Sequence, residues 1–327
     1  MTENTLKNSD DLYAALDLGT NACRLLIAQK GDQDHQVIDS FARVVRLGDE
    51  LASHRRISRE AHGRALTALR VCAEKINEYK IVAPKIRCVA TAACRQAVNG
   101  LTFVQDVKNE TGLELEIVSA EEEARLAIVG CADLLETNTR YAVAFDIGGG
   151  SSEVMWMELI PGELPQIIDW ISLPLGVVTV AHTLREVPEE KPFLDEIRQN
   201  VRKTVQSFAD RCRIHPHLRN NNVQMIGTSG TVTTLAALLK NLDRYDRSEV
   251  NGLRLSSDDI QKTTSRLYKM PIERRLLHPC IGPGRAGLVM GGVSIFQGIY
   301  DAIHIDPVIV ADRGVREGIL VDLMLRS

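Results

Sequence analysis

The sequence predicts an α/β protein built from two related halves. Its 327 residues suit two domains. Four segments share one grammar, in which a short apolar strand runs into a loop of Gly, Ser, Thr or Asp before a helix or a further strand follows. Two of the four are nearly the same phrase, which points to a duplicated unit. With 44% hydrophobic and 25% charged residues and no low-complexity tract, the chain is neither disordered, collagenous nor coiled coil.

The elements follow in order. A strand over 13–16 runs into Asp17-Leu18-Gly19-Thr20-Asn21, and the apolar residues 25–28 form the next strand. Residues 58–79 read as a helix, with Ser58 as N-cap, Glu60 behind it, and Leu66, Leu69, Cys72, Ala73 and Ile76 at helical spacing. The apolar run 88–90 leads through small residues to Arg95. A strand over 115–118 enters a helix over 120–135 through Ser119, placing Glu121, Glu122 and Glu123 in the first turn, where the helix dipole favours negative charge. A domain change is expected here: residues 1–120 form the first domain, completed by a C-terminal segment from about 306 to 327, and residues 121–305 form the second. A strand over 141–145 then runs into Asp146-Ile147-Gly148-Gly149-Gly150-Ser151-Ser152-Glu153, followed by the β-prone 154–157. Each Asp-x-Gly phrase predicts a hairpin whose tight turn carries a carboxylate and bare backbone N–H groups. Residues 186–192 read as a Pro/Glu-rich loop. The strand 223–226 enters Gly227-Thr228-Ser229-Gly230-Thr231 and a helix over 232–239. Finally, 307–311 leads through Asp312-Arg313-Gly314 to a helix over 315–325 with Ile319, Leu320, Leu323 and Met324 on one apolar face.

Charge and composition narrow the function. Lys plus Arg number 39 against 43 Asp plus Glu, a net charge of −4, so no basic field recruits nucleic acid and an anionic ligand must be held by a local constellation. The start is polar and acidic, without the basic end and apolar core of a secretion signal, and no apolar run approaches the roughly 18 residues that span a bilayer. A cytoplasmic protein without a membrane partner is expected. Seven cysteines, an odd number without a CxxC pair, read as reduced and mostly buried thiols.

Glycine lets backbone N–H groups reach a phosphate because no Cβ intervenes. Gly148, Gly149, Gly150, Ser151 and Ser152 supply such groups and two hydroxyls. The carboxylates at either end would repel that anion, so Asp146 and Glu153 make sense as Mg²⁺ ligands, with Asp17, which heads the twin turn, as a further metal candidate. The bland alternative is a glycine-rich turn with solvated acids; the related loops at 17–21 and 227–231 weigh against it. Other motifs fail. No GxxxxGK[ST], HExxH or GxSxG occurs. Residues 282–287 match GxGxxG, but Pro279 and Pro283 spoil the strand that a dinucleotide fold needs in front of it.

Taken together, Asp17-Leu18-Gly19-Thr20-Asn21, Ala90-Thr91 through Arg95-Gln96-Ala97, Glu121-Glu122-Glu123-Ala124-Arg125, residues 146–153 and 227–231 resemble, in order, the motifs of the exopolyphosphatase/guanosine pentaphosphate phosphohydrolase (Ppx/GppA) family. The resemblance runs from about residue 12 to the end. Ala22 and Cys23 depart from the residues some members carry in the first loop. No His-Asp dipeptide of the long members' HD-type region occurs, so the chain resembles the short, two-domain form. The resemblance implies two ribonuclease H-like domains of the acetate kinase, sugar kinase, Hsp70 and actin superfamily around a cleft, with the last helix returning to the first domain.

It also implies roles. Glu123 corresponds to the family's general base and Glu153 to its second essential glutamate. Asp146 and the Gly148 backbone correspond to the metal neighbourhood. Thr20, Asn21, Arg24, Arg95, Gly148 to Ser152, Gly230, Thr231 and Arg285 correspond to phosphate contacts. For Glu121 and Glu122 alone, a favourable first helical turn is the better reading; for Arg43, Arg46, Arg55, Arg56 and Arg59, solvated surface charge is. The expected activity is Mg²⁺-dependent release of terminal phosphate from inorganic polyphosphate, with a water activated by Glu123 attacking a phosphoryl group held between the Thr20-Asn21 and Gly148–Ser152 turns. Hydrolysis of guanosine pentaphosphate is the alternative. A nucleotide-dependent kinase or an actin-like assembly protein is the reading from another class. A homodimer is a further implication of the family.

Overall fold

The computed structural model describes residues 11–31, 35–49, 51–185, 190–220 and 222–326, without the side chains of 52 and 53. The chain divides into two compact units: Met1–Leu126 with Val315–Ser327, and Ala127–Gly314. The passage expected at residue 120 thus falls after Leu126. The return begins at Val315 rather than near 306, because the strand that precedes it pairs inside the second unit's sheet.

The first unit's sheet has the order β3-β2-β1-β4-β5. Strands β1 (Leu12–Leu18), β2 (Ala22–Lys30) and β3 (His35–Val44) form an antiparallel meander, while β4 (Ile86–Ala90) and β5 (Leu115–Ile117) continue parallel to β1. Its central position explains the nearly unbroken apolar run of β1, every residue of which is buried. Helix α1 (Arg59–Glu78) covers the sheet with Leu66, Leu69, Cys72, Ala73 and Ile76 buried, and Ser58 caps it by accepting from the Ala61 N–H at 3.3 Å. Helix α2 (Gly100–Thr111) ends at Gly112, whose φ of 73° is the left-handed stop that favours glycine. Helix α3 (Ala120–Val129) begins as expected but is shorter than its pattern, since the chain leaves the helix at Gly130 and makes a tight turn at Ala132–Leu134.

The second unit's sheet has the order β10-β11-β9-β6-β7-β8. Here β6 (Tyr141–Ile147), β7 (Ser152–Glu158) and β8 (Gln166–Leu173) repeat the meander. Strands β9 (Val223–Thr228) and β11 (Val308–Ala311) repeat the parallel continuation, and the short β10 (Arg254–Leu255) closes the edge. Helices α4 (Val177–Leu184), α5 (Glu190–Arg211), α6 (Gly230–Leu239), α7 (Ser257–Tyr268) and α8 (Val289–Ala302) bury this sheet's core, where Phe145 meets Phe296 at 5.7 Å between ring centroids. The loop expected over 186–192 is in part the first turn of α5: Pro192 is tolerated there because first-turn N–H groups have no helical partner anyway. Residues 186–189 lie outside the described ones. The GxGxxG match at 282–287 is a single helical turn with no strand leading into it.

Helix α9 (Val315–Leu325) packs on β1 and β2 of the first unit, with Ile319, Leu320, Leu323 and Met324 buried. A Cβ on Gly318 would stand 1.8 Å from the Leu126 carbonyl oxygen, so only glycine allows this approach. All seven cysteines are free and six are buried, in line with the reduced thiols expected; the Cys23 and Cys72 sulfurs are 3.9 Å apart.

Candidate active site

The two meanders carry the same turn. In the first, β1 and β2 close at the pair Leu18/Cys23, and the Gly19 N–H donates to the Ala22 carbonyl at 2.9 Å. In the second, β6 and β7 close at Ile147/Ser152, and the Gly148 N–H donates to the Ser151 carbonyl at 3.0 Å. The acidic residues fall at one register: Asp17 pairs with Arg24, and Asp146 pairs with Glu153. Arg24 in the first turn therefore stands where Glu153 stands in the second.

Asp17 is 6% exposed, and Arg24 Nη1 approaches its Oδ2 at 4.0 Å. Burial pushes the Asp17 carboxyl above the usual carboxylate range, against the pull of Arg24 and Arg316. The turn itself is anchored from behind. The Asn21 carbonyl accepts from the Val45 and Arg46 amides, and the Thr20 carbonyl accepts from Gly48. Gly48 also makes room for the buried Thr20, because a Cβ there would lie 2.3 Å from the Thr20 methyl. The five surface arginines Arg43, Arg46, Arg55, Arg56 and Arg59 are exposed.

Glu123 and Arg95 meet in the first unit. Arg95, on the single helical turn Ala92–Gln96, uses Nη1 to donate to the Val118 carbonyl at 2.8 Å and to Glu123 Oε2 at 3.0 Å. The Glu123 side chain is 12% exposed. Its neighbour Glu122 turns the other way, into an ion network. Glu122 accepts from Arg87 at 2.9 Å and Arg125 at 2.7 Å, and Asp322 of α9 accepts from the same two arginines at 2.8 and 2.9 Å. The network ties α3, β4 and α9 together, and so fixes the helix that presents Glu123.

In the second unit the glycine turn is held by its carbonyls. The Gly148 carbonyl accepts from Val177 N–H at 3.0 Å and the Gly149 carbonyl from Val178 N–H at 2.9 Å, both at the N-terminus of α4. Because C=O and the following N–H point oppositely across a trans peptide, the Gly149 and Gly150 amides face away from α4. Gly176 permits this seating: a Cβ there would lie 2.3 Å from the Gly149 oxygen. Glu153 is 1% exposed and accepts from Ser172 Oγ at 2.9 Å. Asp146 and Glu153 oppose each other across the hairpin, so two carboxyl groups share one face of the sheet.

Some expected phosphate donors are engaged internally. The Ser152 hydroxyl is fully buried and donates to the Leu175 carbonyl at 2.6 Å, so it ties the hairpin to the segment before α4. The Gly148 N–H closes the turn. The Thr231 N–H donates to Ser229 Oγ at 3.1 Å as part of the α6 cap, and Thr231 is buried where Gly292 leaves it space. Arg285 lies beside Gly230, with Cζ 3.6 Å from where a Gly230 Cβ would be, and its guanidinium stacks over Tyr245 at 5.6 Å. Sequence reasoning missed Ser172, Gly176, Gly48 and Tyr245. An exposed strand serine and an isolated glycine carry no periodic signal; the proline and glycine of Leu173-Pro174-Leu175-Gly176 are the local feature that could have marked the turn.

No group of three or more His, Cys, Asp or Glu side chains forms a metal cluster among the described residues. The donor set fits Mg²⁺ nevertheless, since that ion takes oxygen ligands and is usually held by one or two carboxylates plus phosphate and water. No helix of the described residues is long and apolar enough to cross a membrane.

A family model described as the Ppx/GppA phosphatase family matches residues 26–327. Exopolyphosphatase 2 of Mycobacterium tuberculosis is 30% identical over 328 residues, covering 95% of this chain and 98% of that protein. The crystal structure of the Aquifex aeolicus member of the Ppx/GppA family is 28% identical, with a TM-score of 0.78 over 96% of this chain and 98% of that one. An exopolyphosphatase-like protein of known structure is also 28% identical, with a TM-score of 0.81 over 96% and 99% of the two chains. The chain belongs to the Ppx/GppA phosphatase family. It is an enzyme, a hydrolase acting on phosphoanhydride bonds, with a two-domain α/β fold.

Proposed function

We propose that the chain is an exopolyphosphatase that removes terminal orthophosphate from inorganic polyphosphate with Mg²⁺. The observation that carries the reading is the glycine turn beside Asp146 and Glu153, pinned by its carbonyls so that the Gly149 and Gly150 amides point away from α4. The 30% identity with a protein named as an exopolyphosphatase supports the substrate. The repeated strand order, a three-stranded meander continued by parallel strands, supports two ribonuclease H-like domains of the acetate kinase, sugar kinase, Hsp70 and actin superfamily.

Phosphoanhydride hydrolysis asks a protein for position and charge compensation. In this reading the Gly149 and Gly150 amides bind phosphate oxygens, as does Arg285 beside Gly230, while Arg24 and Asn21 supply donors on the first hairpin. Asp146 and Glu153 would hold Mg²⁺ in the second unit, and Asp17, which heads the matching turn of the first unit, is a metal candidate there. Bound Mg²⁺ supplies neutralisation of charge on the non-bridging oxygens. Glu123 accepts the proton of the attacking water, and Arg95 fixes the orientation of its carboxylate. The bond formed is water oxygen to terminal phosphorus. The bond broken is the anhydride P–O, and the electron pair leaves on the shortened chain.

The test measures phosphate release from long polyphosphate, tripolyphosphate and guanosine pentaphosphate under one Mg²⁺ condition, with ATP beside them. Release from polyphosphate is expected. Release confined to guanosine pentaphosphate would replace the substrate, and phosphoryl transfer from ATP to an acceptor would replace the reaction with that of a kinase.

A further inference from the structure

Glu153 sits between two cross-strand neighbours at one register, Asp146 on β6 and Ser172 on β8. Register partners project to the same face of a sheet, so Glu153 has a second carboxyl group on one side and a hydroxyl on the other. Ser172 Oγ donates to Glu153 Oε1 at 2.9 Å. From this geometry we infer that Ser172 is a positioning residue for Glu153, an inference that rests on Glu153 being a working residue of the hydrolase.

The chemistry of the donor matters. A lysine or arginine at 172 would hold the carboxylate but also neutralise it, and so compete with a divalent cation for the Asp146/Glu153 pair. A hydroxyl holds one oxygen and stops rotation of the carboxylate without changing the charge of the pair. Nor does the sheet need this serine. Ser172 is exposed on an edge strand, where β-branched residues pack better. The surrounding segment serves the same end, because the Leu175 carbonyl accepts from Ser152 Oγ at 2.6 Å and Gly176 seats the glycine turn. Residues 152 and 153 are thus both gripped from one stretch of chain.

The experiment compares Ser172→Ala, Ser172→Thr, Glu153→Ala and the double variant Ser172→Ala/Glu153→Ala in steady-state phosphate release from polyphosphate. Urea unfolding of each and a crystal structure of Ser172→Ala accompany it. Expected for Ser172→Ala are a kcat lower by about 10- to 100-fold, a KM changed by less than about threefold, an unchanged urea midpoint and a Glu153 carboxylate turned from its present rotamer. Thr, which keeps the hydroxyl, should restore kcat to within about threefold. In the Glu153→Ala background the serine change should add nothing. Normal kcat in Ser172→Ala with an unmoved Glu153, alongside a crippled Glu153→Ala, would overturn the role of Ser172 and leave that of Glu153 standing. Normal turnover in Glu153→Ala would overturn the functional reading of the glutamate itself.

Discussion

Arg95 and Glu123 are separated by 27 intervening residues, yet one guanidinium nitrogen joins them at 3.0 Å and also holds the Val118 carbonyl. That double hold gives Glu123 a defined orientation, which a proton acceptor needs as much as basicity. Glu123→Gln is the informative change, since the amide oxygen can still accept from Arg95 while the proton-accepting carboxylate is gone. Turnover should fall by roughly 10² or more with KM within about threefold, measured as phosphate release from polyphosphate; near-normal kcat would remove Glu123 from the base role. Arg95 reads from sequence as a phosphate contact because it follows a small-residue turn. Spacing along the chain cannot tell a guanidinium that faces a ligand from one that faces a carboxylate on another helix. The same blindness affects Ser152, whose hydroxyl reads as a ligand group and is turned inward onto Leu175.

Helices act here through their ends. The α4 N-terminus donates to two carbonyls of the glycine turn, and Gly176 lets it come close enough. Gly176→Ala places a methyl 2.3 Å from a backbone oxygen that cannot swing aside, so the turn must move. The expected outcome is a KM for polyphosphate raised at least about tenfold, with a stability cost of about 1–3 kcal/mol; unchanged kinetics would show that α4 does not shape the turn. Helix α3 is held by the other device, charge. Arg125 and Arg87 keep the Glu122 carboxyl at about 2, below its ordinary 4.5. A carboxyl lowered on folding stabilises the fold above its unfolded value, and this contribution is lost as pH falls from about 4.5 through about 2. Glu122→Gln should therefore cost about 1–3 kcal/mol near neutral pH and flatten the decline between those two values, read by urea unfolding across pH. An acid limb parallel to that of the native protein would contradict the network's role. The lengths of such elements were only partly legible: α3 stops at Val129 although its apolar pattern runs on, and α5 takes in Pro192 because a first turn tolerates proline.

Across the whole molecule the thiols report how completely both cores close. Burial pushes Cys88 and Cys94 up to about 12, and Cys212 reaches about 12 through burial and then the adjacent Asp169. The six buried cysteines should resist a disulfide reagent in the folded protein because the reagent cannot reach them, the half-buried Cys212 should react slowly, and all seven should react in denaturant. Rapid native labelling of two or more would mean that a core opens. The sequence by itself determined the strands of the twin hairpins and the parallel strands that follow them, though not β3, β8 or β10, together with the Asp-x-Gly turns, the capped helix at Ser58 and the final amphipathic helix, because these follow from local periodicity, glycine placement and capping chemistry. It also carried the ordered motifs that mark the family. Only the tertiary structure decided that Arg95 bonds Glu123, that Ser172 holds Glu153, that α4 takes the glycine turn's carbonyls and leaves its amides pointing away, and that the second unit keeps β11. Those outcomes depend on which strands pair and which helix ends approach, contacts between residues distant in sequence that no local pattern encodes.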